Sequence, residues 1–202
     1  MGALIRKNLI RLLVFAVSSV GAFSQETHPT KPAQAYLVPE AYEVYSAILP
    51  DQWTWRDAKA SALVIRAETV SHEMCLKPDA KSAELLDPAI ADFVKVNSTP
   101  SVLQQMFNIS KPYELIDSET LMAPFKAAGV NGWKSFNAIH PNSAGWIELS
   151  AVGFIEDKSI AVVYVGHSCG GLCGGGGFTV LRKIGGIWKP LKWKGGACSW
   201  AS

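Results

Sequence analysis

The pattern of apolar and polar positions is clearest in the last third of the chain, where it predicts β-strands. Residues 160–165 (IAVVYV) are apolar throughout, which is typical of a strand that is covered on both faces. Residues 178–184 alternate and are followed by Gly185-Gly186, a pair that favours a type I′ hairpin turn into a partner strand at 187–193. Because Pro190 cannot donate a ladder hydrogen bond, this last strand is expected at a sheet edge.

The earlier part of the chain combines helical periodicity with a few short strand patterns. Residues 146–154 alternate and predict a fourth strand of the C-terminal meander. We therefore predict an α+β domain with helices in the N-terminal half packed on one face of a C-terminal antiparallel β-meander of about four strands. The other predicted elements are helices at 38–48, 80–96 (one helix, or two broken at Pro88), 101–107, 118–126 and 133–139, and strands at 61–69 and 113–116.

The first 24 residues have the composition of a secretory signal peptide. Three basic residues precede the apolar stretch 12–20, and small residues at 22 and 24 suit a cleavage site near Ser24. We predict a signal peptide at 1–24, a flexible tail at 25–35 and a single α+β domain at 36–202. The protein is then secreted or periplasmic, without stable membrane insertion after cleavage; an uncleaved membrane anchor is the alternative.

Removal of this segment changes the net charge. The whole chain has 19 basic and 17 acidic residues, and the first 24 residues hold three of the basic ones, so the remaining chain has a formal charge of −1. With a near-neutral charge and no basic block, the sequence does not favour binding to nucleic acid or to an anionic membrane surface.

Segment 166–177 lies between two predicted strands and holds seven of the 17 glycines of the chain. Glycine loses more backbone entropy on folding than any other residue, so such a loop requires a constraint. A disulfide between Cys169 and Cys173 would supply it, and Cys75 and Cys198 would then form the second pair. In an exported chain an even number of cysteines favours disulfides.

Two thiolate chemistries are alternatives to these disulfides. His167, Cys169, Cys173 and Cys198 have the ligand types of a tetrahedral zinc site, although the paired CxxC spacing is absent. A thiolate of Cys169 or Cys173 beside His167 would also be a nucleophile, with glycine amides of the loop as an oxyanion hole.

Serine chemistry and phosphate binding receive less support from the same loop. Ser168 occupies the centre of a G-x-S-x-G pattern at 166–170, but a nucleophile elbow requires a strand, a turn and then a helix. Glycines 174–177 likewise run into a predicted strand, whereas phosphate loops open a helix. We predict no catalytic, cofactor or metal residues, and we name His167, Ser168, Gly170, Gly171 and Leu172 as the candidate functional loop.

The C-terminal half contains a series of short motifs in a fixed order. They are Trp133-x-x-Phe136, Pro141-x-Ser143-x-Gly145, Leu149-Ser150-x-Val152-Gly153-Phe154, Cys169-Gly170-x-Leu172-Cys173-Gly174, Gly186-x-Trp188-Lys189 and Trp200-x-Ser202. With these motifs the chain resembles an uncharacterised family of secreted bacterial proteins with no established function. The resemblance covers roughly residues 130–202 and implies export but no activity.

Three classes of function therefore remain open. We favour a non-enzymatic binding module that uses the 166–177 loop and nearby aromatic residues, with a protein or small molecule as partner. The alternatives are a thiol- or serine-dependent hydrolase centred on this loop, and an inhibitor or protective partner of an exported enzyme. Four tryptophans are candidates to expose ring faces to a carbohydrate or peptide ligand: Trp53, Trp55, Trp193 and Trp200.

Overall fold

A mixed eight-stranded sheet is the largest feature of the computed structural model, which describes residues 35–51, 60–126 and 131–202. The strands are β1 (Ala35–Tyr36), β2 (Leu63–Arg66), β3 (Lys77–Pro78), β4 (Ser101–Val102), β5 (Tyr113–Ile116), β6 (Trp146–Leu149), β7 (Gly153–Phe154), β8 (Ile160–Gly170), β9 (Cys173–Ile184), β10 (Ile187–Pro190), β11 (Gly195–Gly196) and β12 (Ser199–Ala201). The helices are α1 (Pro39–Ile48), α2 (Ala80–Val96), α3 (Ser118–Lys126) and α4 (Gly132–Ile139), with a short 3₁₀ helix at Leu49–Asp51.

The main sheet has the strand order β10-β9-β8-β6-β2-β5. The pairs β10–β9, β9–β8 and β8–β6 are antiparallel, whereas β2 pairs in parallel with both β5 and β6. β7 adds to β8, and β12 adds to the glycine-rich part of β9. Two small sheets, β1 with β4 and β3 with β11, lie outside this sheet.

Hydrophobic clusters cover both faces of the main sheet. On one face, odd-numbered residues of β8 such as Val163 and Val165 pack with α1. On the other face, even-numbered residues such as Val162 and Tyr164 pack with α2. A third cluster joins Trp146 of β6 to α3 and α4. The uniformly apolar pattern of 160–165 is thus explained, because this strand is buried on both sides.

The α+β class is confirmed, but the predicted layout is wrong in three respects. α3 and α4 lie beyond the first half of the chain, the helices cover both sheet faces, and the sheet has more strands than the predicted four. Strands are present where they were predicted at 61–69 and 113–116, as β2 and β5, but their parallel pairing into the main sheet was not predicted. Such pairings depend on tertiary contacts and leave little local signal in the sequence.

The predicted strand at 146–154 is interrupted by a buried asparagine. The side-chain amide of Asn97 donates to the carbonyl of Ala151 at 3.1 Å, and its carbonyl oxygen accepts from the Ala151 N–H at 2.8 Å. Because this side chain satisfies both backbone groups of Ala151, the residue does not pair with β8, and the segment divides into β6 and β7.

Several local predictions are confirmed and one is wrong. α1 begins with Pro39 in its first turn, and α2 continues through Pro88 as one helix whose N-terminus is capped by Asp79. Gly185 and Gly186 both have positive φ, as a type I′ turn requires. Residues 101–107 do not form the predicted helix, because their first two residues pair with β1 as β4.

Both predicted disulfides, Cys75–Cys198 and Cys169–Cys173, are present. Such bonds are typical of proteins from oxidising compartments. The predicted signal peptide at 1–24 and nearly all of the predicted tail at 25–35 lie outside the described residues, as do Trp53 and Trp55. In the ranges that the structure describes, no helix has both the length and the apolar composition to cross a membrane.

Candidate binding clefts on the glycine-rich hairpin

Segment 166–177 is a β-hairpin rather than the predicted loop. β8 runs to Gly170 and β9 starts at Cys173, so only Gly171 and Leu172 form the turn. The register pairs His167 with Gly175 across the two strands and is irregular between 168 and 170. The glycines adopt strand backbone because β8 on one side and β12 on the other supply hydrogen-bond partners.

The tip of the hairpin is closed by the Cys169–Cys173 disulfide. The side chain of Leu172 at the apex is 89% exposed. All four cysteines of the chain are in disulfides, so no thiolate remains for the nucleophile or the zinc site considered above. Among the described residues, no group of three or more His, Cys, Asp or Glu residues is placed to hold a metal ion.

His167 and Ser168 lie on opposite faces of β8, because side chains alternate along a strand. The Nε2 atom of His167 lies 2.7 Å from the carbonyl oxygen of Ala144. A carbonyl oxygen only accepts hydrogen bonds, so Nε2 carries a proton and donates it. The structure therefore does not place the imidazole of His167 where it could act as a catalytic base toward the Ser168 hydroxyl.

A cleft of about 260 Å³ lies on the His167 face of β8, β9 and β12, and we call it the glycine cleft. The register places Gly175 and Gly177 on this face, beside His167 and Val165 of β8 and Ala201 and Ser199 of β12. Its floor is backbone, and its walls combine hydroxyl, imidazole and apolar groups. The cleft is lined by Val165, His167, Gly174, Gly175, Gly176, Gly177, Phe178, Thr179, Ser199, Trp200 and Ala201.

A second cleft, of about 370 Å³, lies between His167 and the segment after α4, and we call it the His140 cleft. In this cleft the Nδ1 atom of His140 lies 2.6 Å from a carboxylate oxygen of Glu114, which fixes the orientation of the imidazole. The Cys169–Cys173 disulfide forms part of its wall. His167 thus contributes to both clefts.

The opposite face of the glycine-rich strands is covered by aromatic residues. The Nε1–H of Trp200 donates to the Tyr164 hydroxyl at 2.7 Å, and the His72 ring stacks on Tyr164 with 3.6 Å between ring centroids. Burial lowers the pKa of His72 and raises the pKa of Tyr164. Both rings therefore favour their neutral forms, and an uncharged aromatic contact fixes β12 to the hairpin.

The glycines in β9 serve two different purposes. A Cβ at Gly176 would overlap the Tyr164 hydroxyl and lie 2.7 Å from Nε1 of Trp200, so packing on the aromatic face requires glycine there. A Cβ at Gly177 would meet the Ser199 Cβ at 3.2 Å, a tight contact that a small shift relieves. Glycine at 177 is therefore less strictly required by packing, and its absent side chain leaves the glycine cleft open.

The structure places the predicted site residues in separate environments. His167 lines the clefts, Gly171 and Leu172 form the exposed tip, and Ser168 and Gly170 lie in β8 near the tip. The sequence did not predict the part played by β12, because 195–202 has no alternating apolar pattern and its partner is a run of glycines. The predicted Cys75–Cys198 bond was the signal that this end of the chain is held in place.

Comparison of the chain with protein-family models, with curated proteins and with solved structures finds no match in any of the three.

Proposed function

We propose that the chain is an exported, non-enzymatic binding module that takes up a small polar ligand in the glycine cleft. Export rests on the signal-peptide pattern at 1–24 and agrees with the two disulfides. The observation that carries the binding proposal is a cleft floored by backbone and framed by two disulfide-anchored segments, the hairpin and β12.

The lining of the glycine cleft suits a small polar ligand. Thr179 and Ser199 offer hydroxyls, His167 offers an imidazole, and glycine lets a ligand approach the strand backbone closely. Val165 adds an apolar surface. This mixture of a few polar groups with apolar walls is usual in small-molecule sites. Because the framing segments are covalently fixed, binding requires little ordering of the chain.

The test is ligand mapping by amide chemical shifts, with a fragment library of sugars, amides and hydroxy acids as probes. We expect binding fragments to shift amides at 165, 167, 174–179 and 199–201. Gly177→Val fills the cleft floor and abolishes these shifts, and Gly177→Ala weakens them with less strain. Gly171→Ala is the control, since a Cβ there has no heavy atom within 4 Å.

The proposal fails if fragments shift amides elsewhere, or if either Gly177 variant is folded and binds them as the original chain does. Thermal unfolding of each variant shows whether a loss of binding reflects a loss of folding. A folded Gly177→Ala protein with unchanged fragment affinity would by itself contradict the placement of the ligand.

A second candidate function, inhibition or protection of an exported enzyme, is favoured by the hairpin tip. Leu172 projects at the apex of two long paired strands, and the disulfide beneath it fixes its presentation. An exposed leucine on a rigid turn suits insertion into an apolar cleft of a partner, because the loop loses little entropy on docking.

The two candidates are separated by where a substitution acts. Crosslinking from the tip, followed by mass spectrometry, would identify a partner enzyme, and Leu172→Asp should abolish that complex while Gly177→Val leaves it intact. The insertion hypothesis is wrong if Leu172→Asp leaves the affinity for the identified enzyme unchanged.

A further inference from the structure

Charge is strongly segregated along this chain, although its total is near zero. Residues 158–202 contain six basic residues and no Asp or Glu. Lys158 and Lys183 pair with Glu40 and Glu43. Within the described parts of the chain, the remaining four have no carboxylate within 4.0 Å. These four are Arg182, Lys189, Lys192 and Lys194.

The fold brings two further lysines to the same edge of the molecule. β11 pairs with β3 and places Gly196 opposite Lys77. The Lys194 carbonyl accepts from the N–H of Asp79 at 2.9 Å, and the Lys194 N–H donates to the Ser82 hydroxyl at 3.1 Å. The segment before β11 therefore lies along the first turn of α2, which carries Lys81.

An open cleft of about 410 Å³ lies between these two segments, and we call it the lysine cleft. It is lined by Asp79, Lys81, Ser82, Leu85, Lys192, Trp193 and Lys194. The three lysines are exposed, whereas Trp193 is half-buried against the cluster beneath α2. The cleft thus places three exposed ammonium groups around a half-buried indole.

The charges around this cleft favour an anion. The positive end of the α2 dipole points toward it, and the first turn of α2 contains no acidic residue. The carboxylate of Asp79 accepts from the Ser82 N–H at 2.8 Å, and that hydrogen bond lowers the pKa of Asp79. Three lysines and the positive end of the dipole outweigh this single carboxylate, so the lining of the cleft carries a net positive charge that favours an anionic ligand.

We propose that the lysine cleft binds an anionic glycan. The lysines would contact its sulfate, carboxylate or phosphate groups, and Trp193 would contact a sugar ring through its apolar indole. A glycan fits better than a lipid surface because the indole lies within a concave cleft and does not project from the molecule. This site is separate from the glycine cleft and shares none of its lining residues.

The test uses heparin as the probe, with inorganic polyphosphate as an anionic polymer that lacks sugar rings. We expect the variant Lys81→Ala/Lys192→Ala/Lys194→Ala to bind heparin at least about tenfold more weakly and with a shallower salt dependence. Trp193→Leu should weaken heparin binding while leaving polyphosphate binding unchanged. Thermal unfolding confirms that each variant is folded.

The matched control is Lys95→Ala/Lys126→Ala/Lys134→Ala, which removes the same charge from other parts of the described surface and should retain heparin binding. Equal weakening by both triple variants would assign the effect to net charge and overturn the proposal. A Trp193→Leu variant that loses heparin binding and polyphosphate binding equally, or that loses neither, would contradict glycan recognition. If the protein bound phosphatidylglycerol vesicles through these lysines but did not bind heparin, the ligand of the cleft would be a membrane surface and the glycan proposal would be wrong.

Discussion

The two halves of the β8–β9 hairpin are paired by the same ladder but are stabilised in different ways. In the aliphatic half, residues 160–165 and 178–184, most side chains are buried on one sheet face or the other, and Val162 and Val163 have no exposed surface. In the glycine half, residues 166–177, there is little side chain to bury. A disulfide, the β12 strand and the contact between Trp200 and Tyr164 hold it instead.

This difference separates folding from binding within one pair of strands. Burial of apolar surface drives folding, and the aliphatic half supplies it on both faces of the sheet. The glycine half contributes little apolar surface but presents backbone, His167 and an exposed tip to the solvent. Local constraints replace the missing burial, and the surface that results is open to a ligand.

The largest expected effect follows from the loop lengths of the two disulfides. By the chain-entropy relation, Cys75–Cys198, which closes 123 residues, contributes about 5 kcal/mol, and Cys169–Cys173, which closes four, contributes about 2 kcal/mol. We expect Cys75→Ser/Cys198→Ser to lower the free energy of unfolding more than Cys169→Ser/Cys173→Ser, measured in urea. A larger loss for the second pair would show that the tip stabilises the whole fold.

Truncation of a core leucine in the aliphatic half should rank next. Leu181 is 1% exposed, and Leu181→Ala should cost about 3 kcal/mol because it removes buried methyl groups and leaves a cavity. The matched control is Leu172→Ala at the tip, which should change the unfolding free energy by less than about 0.5 kcal/mol. Similar costs for the two leucines would contradict the comparison.

Glycine substitutions in the other half should have intermediate effects that depend on position. Gly176→Ala forces a methyl group against Tyr164 and Trp200 and should cost about 1–3 kcal/mol through overpacking. Gly171→Ala, where a Cβ meets open space, should be nearly neutral. Urea unfolding measures both variants. If Gly176→Ala is equally neutral, the aromatic contact does not fix β12.

The smallest expected effect is the loss at acid pH of the ion pair between Glu43 and Lys183 of the aliphatic half. Hydrogen bonding to Lys183, assisted by a weaker one from Trp188, lowers the pKa of Glu43. Its contribution is therefore fully present above the ordinary carboxyl pKa of about 4.3 and is lost as the pH falls through the lowered folded value. For this exposed pair we expect less than about 1 kcal/mol.

The variant Glu43→Gln isolates this contribution. Its unfolding free energy should fall below that of the original chain at neutral pH, and the two should converge as the pH is lowered toward 3 in urea titrations. A difference that is constant across this range would show that Glu43 acts through packing and not through its charge.

Local patterns in the sequence predicted the elements whose signals are contained in neighbouring residues. The apolar run at 160–165, the two glycines of the tight turn and the apolar periodicity of α1 and α2 are of this kind. Both disulfides were also predicted, because four cysteines in an exported chain leave few pairings.

Long-range contacts account for what the sequence did not predict. The parallel pairing of β2, the interruption at Ala151 by the Asn97 side chain and the addition of β12 to β9 all join distant residues. The glycine run was interpreted as a loop, because glycine is unfavourable in isolated strands. Averaging the charge over the whole chain also concealed the lysine cleft, whose lysines come from two separate segments.

Amide hydrogen exchange in Leu181→Ala tests the central comparison most directly. The aliphatic half should exchange through global unfolding, so the lost stability speeds exchange at 160–165 by about 100-fold. The glycine half should open locally while position 181 stays packed, so exchange at 166–177 should not change. Equal acceleration in both halves would show that the hairpin unfolds as one unit and would contradict the separation of folding from binding.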